Sequence, residues 1–277
     1  MLQILFGALH TYGAVDCGAV ALDRIRLTDT QKQDILRRMP DAKTVVCALY
    51  SYNAPDIPNA NLCRYARGKD YHVSLRKRLT DAAASVPDLR FFPLVDASPL
   101  PEVACAVLCG LGTIGQNGLL LHPIHGSRLF IGTLLTDLSC DTVPHAITSC
   151  IGCGSCIAAC PTNALHIENG KVSFSIDRCL SELTQKKGEL TPWETEAVRE
   201  SRYIWGCDCC SDACPVNRSA PLSKLPEFRE NLLTRLEADD LEGLSNRTFT
   251  EKYEERAFTW RGPGPLRRNL ALKANES

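Results

Sequence analysis

No stretch of this sequence approaches the run of about 18 uninterrupted apolar residues that a membrane-spanning helix requires, so no membrane contact is expected. The start, Met1-Leu2-Gln3-Ile4-Leu5-Phe6-Gly7-Ala8-Leu9, is apolar but has no basic flank and soon meets His10 and Asp16. It therefore resembles neither a signal peptide nor a span. Net charge is scarce too. A formal balance of −1 leaves no global basic footprint, and any nucleic-acid contact has to come from a local patch. What the chain has in quantity is cysteine. Fifteen among 277 residues would suggest a disulfide scaffold in a short secreted protein. Here the chain is long, the count is odd and eight of the cysteines have cluster spacing, which fits a reducing cytoplasm. The length allows one large domain or a substantial core with a small module appended.

The cysteines organise the reading. Cys150-Ile151-Gly152-Cys153-Gly154-Ser155-Cys156-Ile157-Ala158-Ala159-Cys160, followed by Pro161, is C-x2-C-x2-C-x3-C-P. In that bacterial ferredoxin run the first three thiolates hold one 4Fe–4S cluster and the fourth reaches across to a second. Cys207, Cys210 and Cys214, spaced C-x2-C-x3-C before Pro215, supply the second site, with Cys179 as the candidate for its missing ligand. The crossed wiring assigns Cys150, Cys153, Cys156 and Cys214 to one cluster and Cys160, Cys179, Cys207 and Cys210 to the other. Two adjacent clusters imply electron transfer. Four-cysteine zinc sites are the competing structural reading, but their ligands come as separated pairs. Cys209 adjoins Cys210, which is preferred because it preserves both spacings.

Ahead of this module, Thr28 is placed to cap a helix running to Met39, and Pro40 stops it. The β-rich run from Thr44 to Tyr52 reads as a buried strand. Cys17 and Cys47 lie in apolar runs, where a free cysteine is usually a small core residue. Arg64-Tyr65-Ala66-Arg67-Gly68-Lys69-Asp70-Tyr71-His72 precedes a helix from Val73 to Ala84. The block is either a solvated helix start or a site for an anion, since guanidinium forks bind phosphate and carboxylate bidentately. Residues 89–98 give a short strand ending at Asp96, either an N-cap for the next helix or a carboxyl whose pKa burial has raised. Gly110, Gly112 and Gly115 have G-x-G-x-x-G spacing, but the order is helix, loop, strand, the reverse of a dinucleotide site. Glycines there still allow close backbone approach to something flat or bulky. Residues 128–137 form another strand. Elements alternate without a clear parallel repeat, so the expected fold class is α+β, in a domain ending near residue 145.

Several segments together carry a family likeness. Val95-Asp96-Ala97-Ser98-Pro99, the loop Gly110-Leu111-Gly112-x-Ile114-Gly115-x-Asn117, and Gly126-Ser127 with Phe130-x-Gly132-x-Leu134-Leu135-Thr136-Asp137 resemble, in order and spacing, the epoxyqueuosine reductases. These are cobalamin-dependent iron–sulfur enzymes of queuosine synthesis in tRNA. Arg64 to His72 and Gly206-Cys207-Asp208 through Cys214-Pro215-x-Asn217 look like two further motifs of that family, and the likeness covers roughly residues 10 to 218. The resemblance implies a nitroreductase-like cobalamin-binding α+β domain followed by a ferredoxin-like double-cluster module. It also implies removal of the epoxide oxygen, with cobalt chemistry that side chains alone cannot supply, and it makes Asp96 the proton donor, kept protonated by its setting. Arg64, Tyr65, Tyr71, His72, Gly110, Gly112, Gly115, Asn117 and Ser127 become the expected cofactor contacts, and Cys63, beside Arg64, a candidate to face the corrin. The chain departs from the family loop in carrying Thr113 and Gln116 where Trp and Lys are usual. Longer members continue into helical repeats that grip tRNA; Thr248 to Asn275 resembles only the lead-in, so a short form is expected.

The expected divisions are 1–145 for the cobalamin-binding catalytic domain, 146–222 for the double-cluster domain and 223–277 for a helical tail. Arg261, Arg267 and Arg268, with Arg64, Arg67, Lys69, Arg76, Lys77 and Arg78, are either a basic face for an RNA arm or scattered surface charge. Tyr65, Tyr71 and Trp260 are available for stacking on bases. Expected partners are tRNA carrying epoxyqueuosine and an external low-potential electron donor, and a monomer is expected. The rival readings are a related cobalamin iron–sulfur reductase acting on a small molecule such as an organohalide, and a plain electron carrier, which would not need so large a front domain.

Overall fold

The computed structural model describes residues 1–141 and 148–274. The expected boundary between residues 145 and 146, and residues 275–277 of the expected tail, lie outside them. The chain divides into two units, each built from three segments where the sequence suggests consecutive blocks. The first takes Met1–Asn53, Tyr71–Gly152 and Ser219–Leu225; the second takes Ala54–Asp70, Cys153–Arg218 and Pro226–Ser277.

The first unit is an α+β fold around an antiparallel sheet. Helix α1 (Leu2–Thr11) leads to strand β1 (Asp16–Ala21), α2 (Asp29–Arg38), β2 (Thr44–Ser51), α3 (Tyr71–Ala84), β3 (Phe91–Val95) and α4 (Glu102–Leu108). A small hairpin, β4 (Thr113–Ile114) and β5 (Leu120–Leu121), precedes β6 (Leu129–Thr136). The main sheet has the order β1-β2-β6-β3, every pairing antiparallel. All of β2 is buried, as an apolar run without polar alternation requires of a strand covered on both faces. On one face α1 packs against α3, which lies on β3 and β6. On the other, Ile35 and Met39 of the α2 region and Cys105 and Ala106 of α4 share a core with Val45, Cys47 and Leu49. Thr28 caps α2 as expected, its side chain and that of Gln31 each bonding the other's backbone. A strap closes the unit: Asn53 Nδ2 donates to the carbonyls of Ala220 and Pro221 at 3.0 and 3.1 Å, and Ser223 Oγ donates to that of Ser51.

In the second unit α5 (Ser155–Ala158), the hairpin β7 (Leu165–Glu168) and β8 (Lys171–Phe174), α6 (Leu180–Gln185), α7 (Pro192–Glu200) and α8 (Cys209–Asp212) are followed by α9 (Ala238–Leu241), α10 (Asn246–Tyr253) and α11 (Gly264–Ala274). The tail is not a separate element of the fold. Phe249, Phe258, Leu266 and Leu270 share one core with Leu180 and Leu183 of α6, Val198 of α7, Trp205, and Leu62 and Cys63 of the 54–70 segment. Burying a side chain such as Phe258, 0% exposed, contributes about 1.5–3 kcal/mol. The 54–70 segment is laced in by backbone bonds: Cys63 N–H donates to Trp205 O at 3.0 Å and Ile204 N–H to Asn61 O at 2.9 Å.

Helix α11 also closes two helix ends. Arg268 donates to the carbonyls of Leu183 and Lys186 at the end of α6, and Lys273 to those of Val198, Arg199 and Ser201 at the end of α7. Last-turn carbonyls have no intrahelical partner and favour cations. Asn269, 0% exposed, satisfies Thr184 O and Ile204 O from the same face.

Candidate functional site

Strand β3 ends at the pair Val95↔Gly132, and the next residue is Asp96, with a left-handed φ of 59°. Aspartate tolerates that region better than most residues, and such backbone is concentrated at functional sites. Tyr71 and His72 open α3 and both reach Asp96: the Tyr71 hydroxyl donates to Oδ2 at 2.7 Å and His72 Nε2 lies 2.9 Å from the same oxygen. Aromatic stacking holds these donors. The His72 ring lies on Tyr71, centroids 4.0 Å apart, Tyr71 lies on Phe130 at 4.3 Å, and Phe130 meets Tyr52 at 4.5 Å. Phe130 and Tyr52, from β6 and the end of β2, carry no chemical signature in the sequence; only the register places them here.

The expectation that burial raises the pKa of Asp96 is not met. The hydrogen bond from His72, with help from Tyr71, holds that carboxyl below its ordinary value, and its side chain is 59% exposed. Nor does it cap α4, whose N-cap is Pro101. The carboxyl that burial does push up is Glu102, to about 8, with the charge of Asp96 as the next cause.

The glycine loop is a β-hairpin whose tight approach is to its own chain. A Cβ on Gly112 would lie 2.5 Å from the Leu121 carbonyl oxygen, and Asn117 Oδ1 accepts the Leu119 N–H at 3.3 Å. Ile114, Leu119 and Ile124 nevertheless stay exposed on this unit. Gly110 has a positive φ of 76°, Gly115 accepts the Gly118 N–H, and Ser127 is buried.

Arg64 and Tyr65 belong to the second unit. The Arg64 guanidinium is consumed there: Nη2 bonds Asp56 at 2.9 Å, Nε bonds Asp212 at 3.2 Å, and Nη1 reaches the carbonyls of Ala54 and Pro55. Its expected anion ligand is thus replaced by internal carboxylates and carbonyls. Tyr65 hydrogen-bonds the Cys63 thiol. Cys63 is 0% exposed, and burial pushes its pKa well up, so it is an inert core thiol and not one facing a corrin. Of the residues offered for a basic face, some are engaged within the chain, whereas Arg76 and the paired Lys69 and Lys77 stay exposed. Arg67 is 1% exposed with Nε on Leu62 O, Arg267 bonds the Leu241 carbonyl, Arg268 caps α6, Lys69 pairs with Glu255, and Lys77 pairs with Asp81.

None of the fifteen cysteines is in a disulfide. Among the described residues no group of three or more His, Cys, Asp or Glu side chains closes on a single metal ion. Cys160 and Cys179 lie within each other's electrostatic reach, as do Cys207 and Cys210, and α5, which carries Cys156, packs against α8, which carries Cys209 and Cys210. Cys209 hydrogen-bonds Cys207. Cys160 Sγ accepts the Leu165 N–H at 3.5 Å, and Cys153 donates to Ser155 Oγ at 3.3 Å. Left-handed Gly152 and Gly154 turn the loop between Cys150 and Cys156, while Cys150 itself is counted with the first unit. Gly206, just before Cys207, has φ 69° and would set a Cβ 2.1 Å from Cys63 Sγ, so no other residue fits there.

An α+β unit with an exposed, donor-flanked carboxylate, in one chain with cysteines spaced for paired clusters, defines an iron–sulfur oxidoreductase. Residues 149–217 match the family described as the 4Fe-4S double cluster binding domain, and residues 32–96 match that described as Epoxyqueuosine reductase QueG, DUF1730. The chain belongs to the epoxyqueuosine reductase family. It is 33% identical over 245 residues to the epoxyqueuosine reductase of Lactococcus garvieae, covering 84% of this chain and 68% of that protein. With that of Listeria monocytogenes it shares 36% over 214 residues, 76% of this chain and 55% of the relative. The chain thus spans between about half and two thirds of the length of these relatives. A crystal structure of epoxyqueuosine reductase with an epoxyqueuosine-modified tRNA-Tyr stem loop superposes with a TM-score of 0.80 at 26% identity, over 98% of this chain and 80% of that one.

Proposed function

We propose that this chain reduces epoxyqueuosine in tRNA to queuosine, with electrons relayed by two 4Fe–4S clusters to cobalamin. The observation that carries the reading is the Asp96–Tyr71–His72 group, an acid flanked by two proton-bearing side chains on a chain of this family. The reaction takes one epoxide, two electrons and two protons; both C–O bonds break, a C=C bond forms and the oxygen leaves as water. Proton supply at the departing oxygen is therefore part of the chemistry. Asp96, ionised at rest, takes up a proton from His72 across their 2.9 Å contact and passes it on, and the imidazole recharges from solvent, to which its side chain is 34% exposed. Tyr71 fixes the carboxyl against the aromatic stack.

The cysteine set fits two clusters. It offers eight thiols outside any disulfide, with backbone and hydroxyl partners on the sulfurs, in loops turned by left-handed glycines. Cys150, Cys153, Cys156 and Cys214 hold one cluster, and Cys160, Cys179, Cys207 and Cys210 the other. Cobalamin, when bound, supplies the low-valent cobalt that side chains lack. Exposed apolar surface on the first unit supports placing it there. Ile114 and Leu119 on the hairpin are exposed apolar side chains, and a Cβ at Gly118 would meet open space. Tyr71, His72, Gly110, Gly112, Gly115, Asn117 and Ser127 are the residues we assign to that site, and Arg64 and Tyr65 are left out because their polar groups are used within the second unit.

The test is anaerobic reconstitution with iron, sulfide and cobalamin, followed by incubation with an epoxyqueuosine-bearing tRNA stem loop and a reductant. Mass spectrometry should record loss of one oxygen from the nucleoside. A preparation with full iron content and a corrin spectrum that leaves the epoxide intact, or that turns over halogenated aromatics instead, overturns the reading.

A further inference from the structure

Glu102 is a titratable group that the proposed chemistry does not use. It is the first residue of α4, one turn of chain beyond Asp96, and the path between them is braced by Pro99, Pro101 and the Leu100 N–H bonded to Ser98 Oγ at 3.1 Å. Its carboxyl accepts the backbone N–H of Asp96, while Oε1 is buried without a hydrogen-bond partner among the described residues. An ionised carboxylate would leave that oxygen unsolvated beside a second negative charge, an arrangement that burial penalises heavily.

We propose that Glu102 is the positioning residue of the acid turn: its carboxyl grips the Asp96 backbone N–H, fixes the left-handed conformation, and so keeps the Asp96 side chain on Tyr71 and His72. This rests on the function proposed above and adds a residue to it. The grip depends on Glu102 remaining a neutral acid. Around it stand Asp96 from the turn and His72 from α3; Cys47 from β2 and Cys105 from α4, both with raised pKa, add no fixed charge, and β1 brings Cys17 and Asp16, the latter paired with His122. Strands β4, β5 and β6 bring no titratable side chain. Among the described groups that act on Glu102, His72 is the one whose charge offsets it, and Asp96 already uses it. Ionisation at about pH 8 therefore sets two carboxylates against each other across one turn, and the turn loosens.

The experiment uses the cluster-loaded chain of 277 residues and its Glu102→Gln, Glu102→Ala and Asp96→Asn variants. Infrared difference spectra across a pH titration should contain a protonated-carboxyl C=O band that disappears near pH 8. Glu102→Gln should abolish it. Asp96→Asn should keep the band but move its disappearance to lower pH, since the neighbouring charge is gone, a coupling that a merely structural role would not produce. Turnover should fall on the alkaline side of that pH in the parent and not in Glu102→Gln, which still accepts the N–H. Glu102→Ala, which does not, should lose on the order of 10²-fold in kcat, the cost of misplacing a reacting group by about 1 Å. A band that survives in Glu102→Gln, or that titrates in the ordinary carboxylate range, overturns the proposal. Failure of the parent chain to deoxygenate the RNA would leave the infrared result standing and sink only the function.

Discussion

At the scale of single residues the site depends on which of two neighbouring carboxyls holds a proton. Asp96 accepts from His72 and Tyr71 and sits below its ordinary pKa; Glu102, six residues on, is pushed up by burial. Asp96→Asn keeps the shape but removes the exchangeable proton, so deoxygenation should drop by roughly 10²–10⁴-fold, the usual worth of a general acid. Substrate binding should change little, and single-turnover rates against RNA affinity would separate the two effects. Retained turnover in that variant would remove Asp96 from the mechanism. Among the cysteines, Cys210→Ser should halve the bound iron, whereas Cys209→Ser should leave it intact; the opposite pattern would exchange their roles. Spacing alone chose between them, because adjacent residues on one short helix differ in direction, which a sequence does not display.

The local elements were the most legible. Thr28 with Gln31 announces the start of α2, the unbroken apolar run of β2 announces a strand covered on both faces, and the cysteine spacing announces the double cluster. Thr191-Pro192-Trp193-Glu194 carries the same kind of signature at the start of α7, where both reciprocal bonds form. Thr191→Ala should cost about 1 kcal/mol in chemical denaturation, with no effect on cluster spectra. Gly206→Ala should cost more, because it adds backbone strain of about 1–3 kcal/mol to a collision with the buried Cys63 sulfur. Denaturation midpoints of the two variants would give the ranking, and equal losses would count against the packing described. What stayed hidden depends on long-range partners. Arg268 reads in sequence as part of a basic surface, yet its donors, like those of Lys273, end on carbonyls at the ends of α6 and α7 some 72 to 85 positions away. The Tyr52–Phe130–Tyr71–His72 stack is likewise a product of strand register, which no local pattern encodes.

For the molecule as a whole, the raised carboxyl couples stability to pH. Glu102 holds its proton more tightly when folded, to about 8, than its ordinary value of 4.5 allows in the unfolded chain. Its contribution is fully present below that ordinary value and is lost as pH rises through about 8. Thermal unfolding should therefore shift to lower temperature between these limits, and Glu102→Gln should flatten the slope; parallel slopes for the two proteins would show that another group is responsible. The segmented build of both units has a consequence for biosynthesis. The strap that closes the first sheet follows the cluster cysteines in sequence, and the core of the second unit needs Leu266 and Leu270, further on still. A nascent chain emerging from the ribosome cannot close the first unit before Leu225 has been made, nor the core of the second before Leu270, so the cysteines are synthesised ahead of the segments that complete the fold around them.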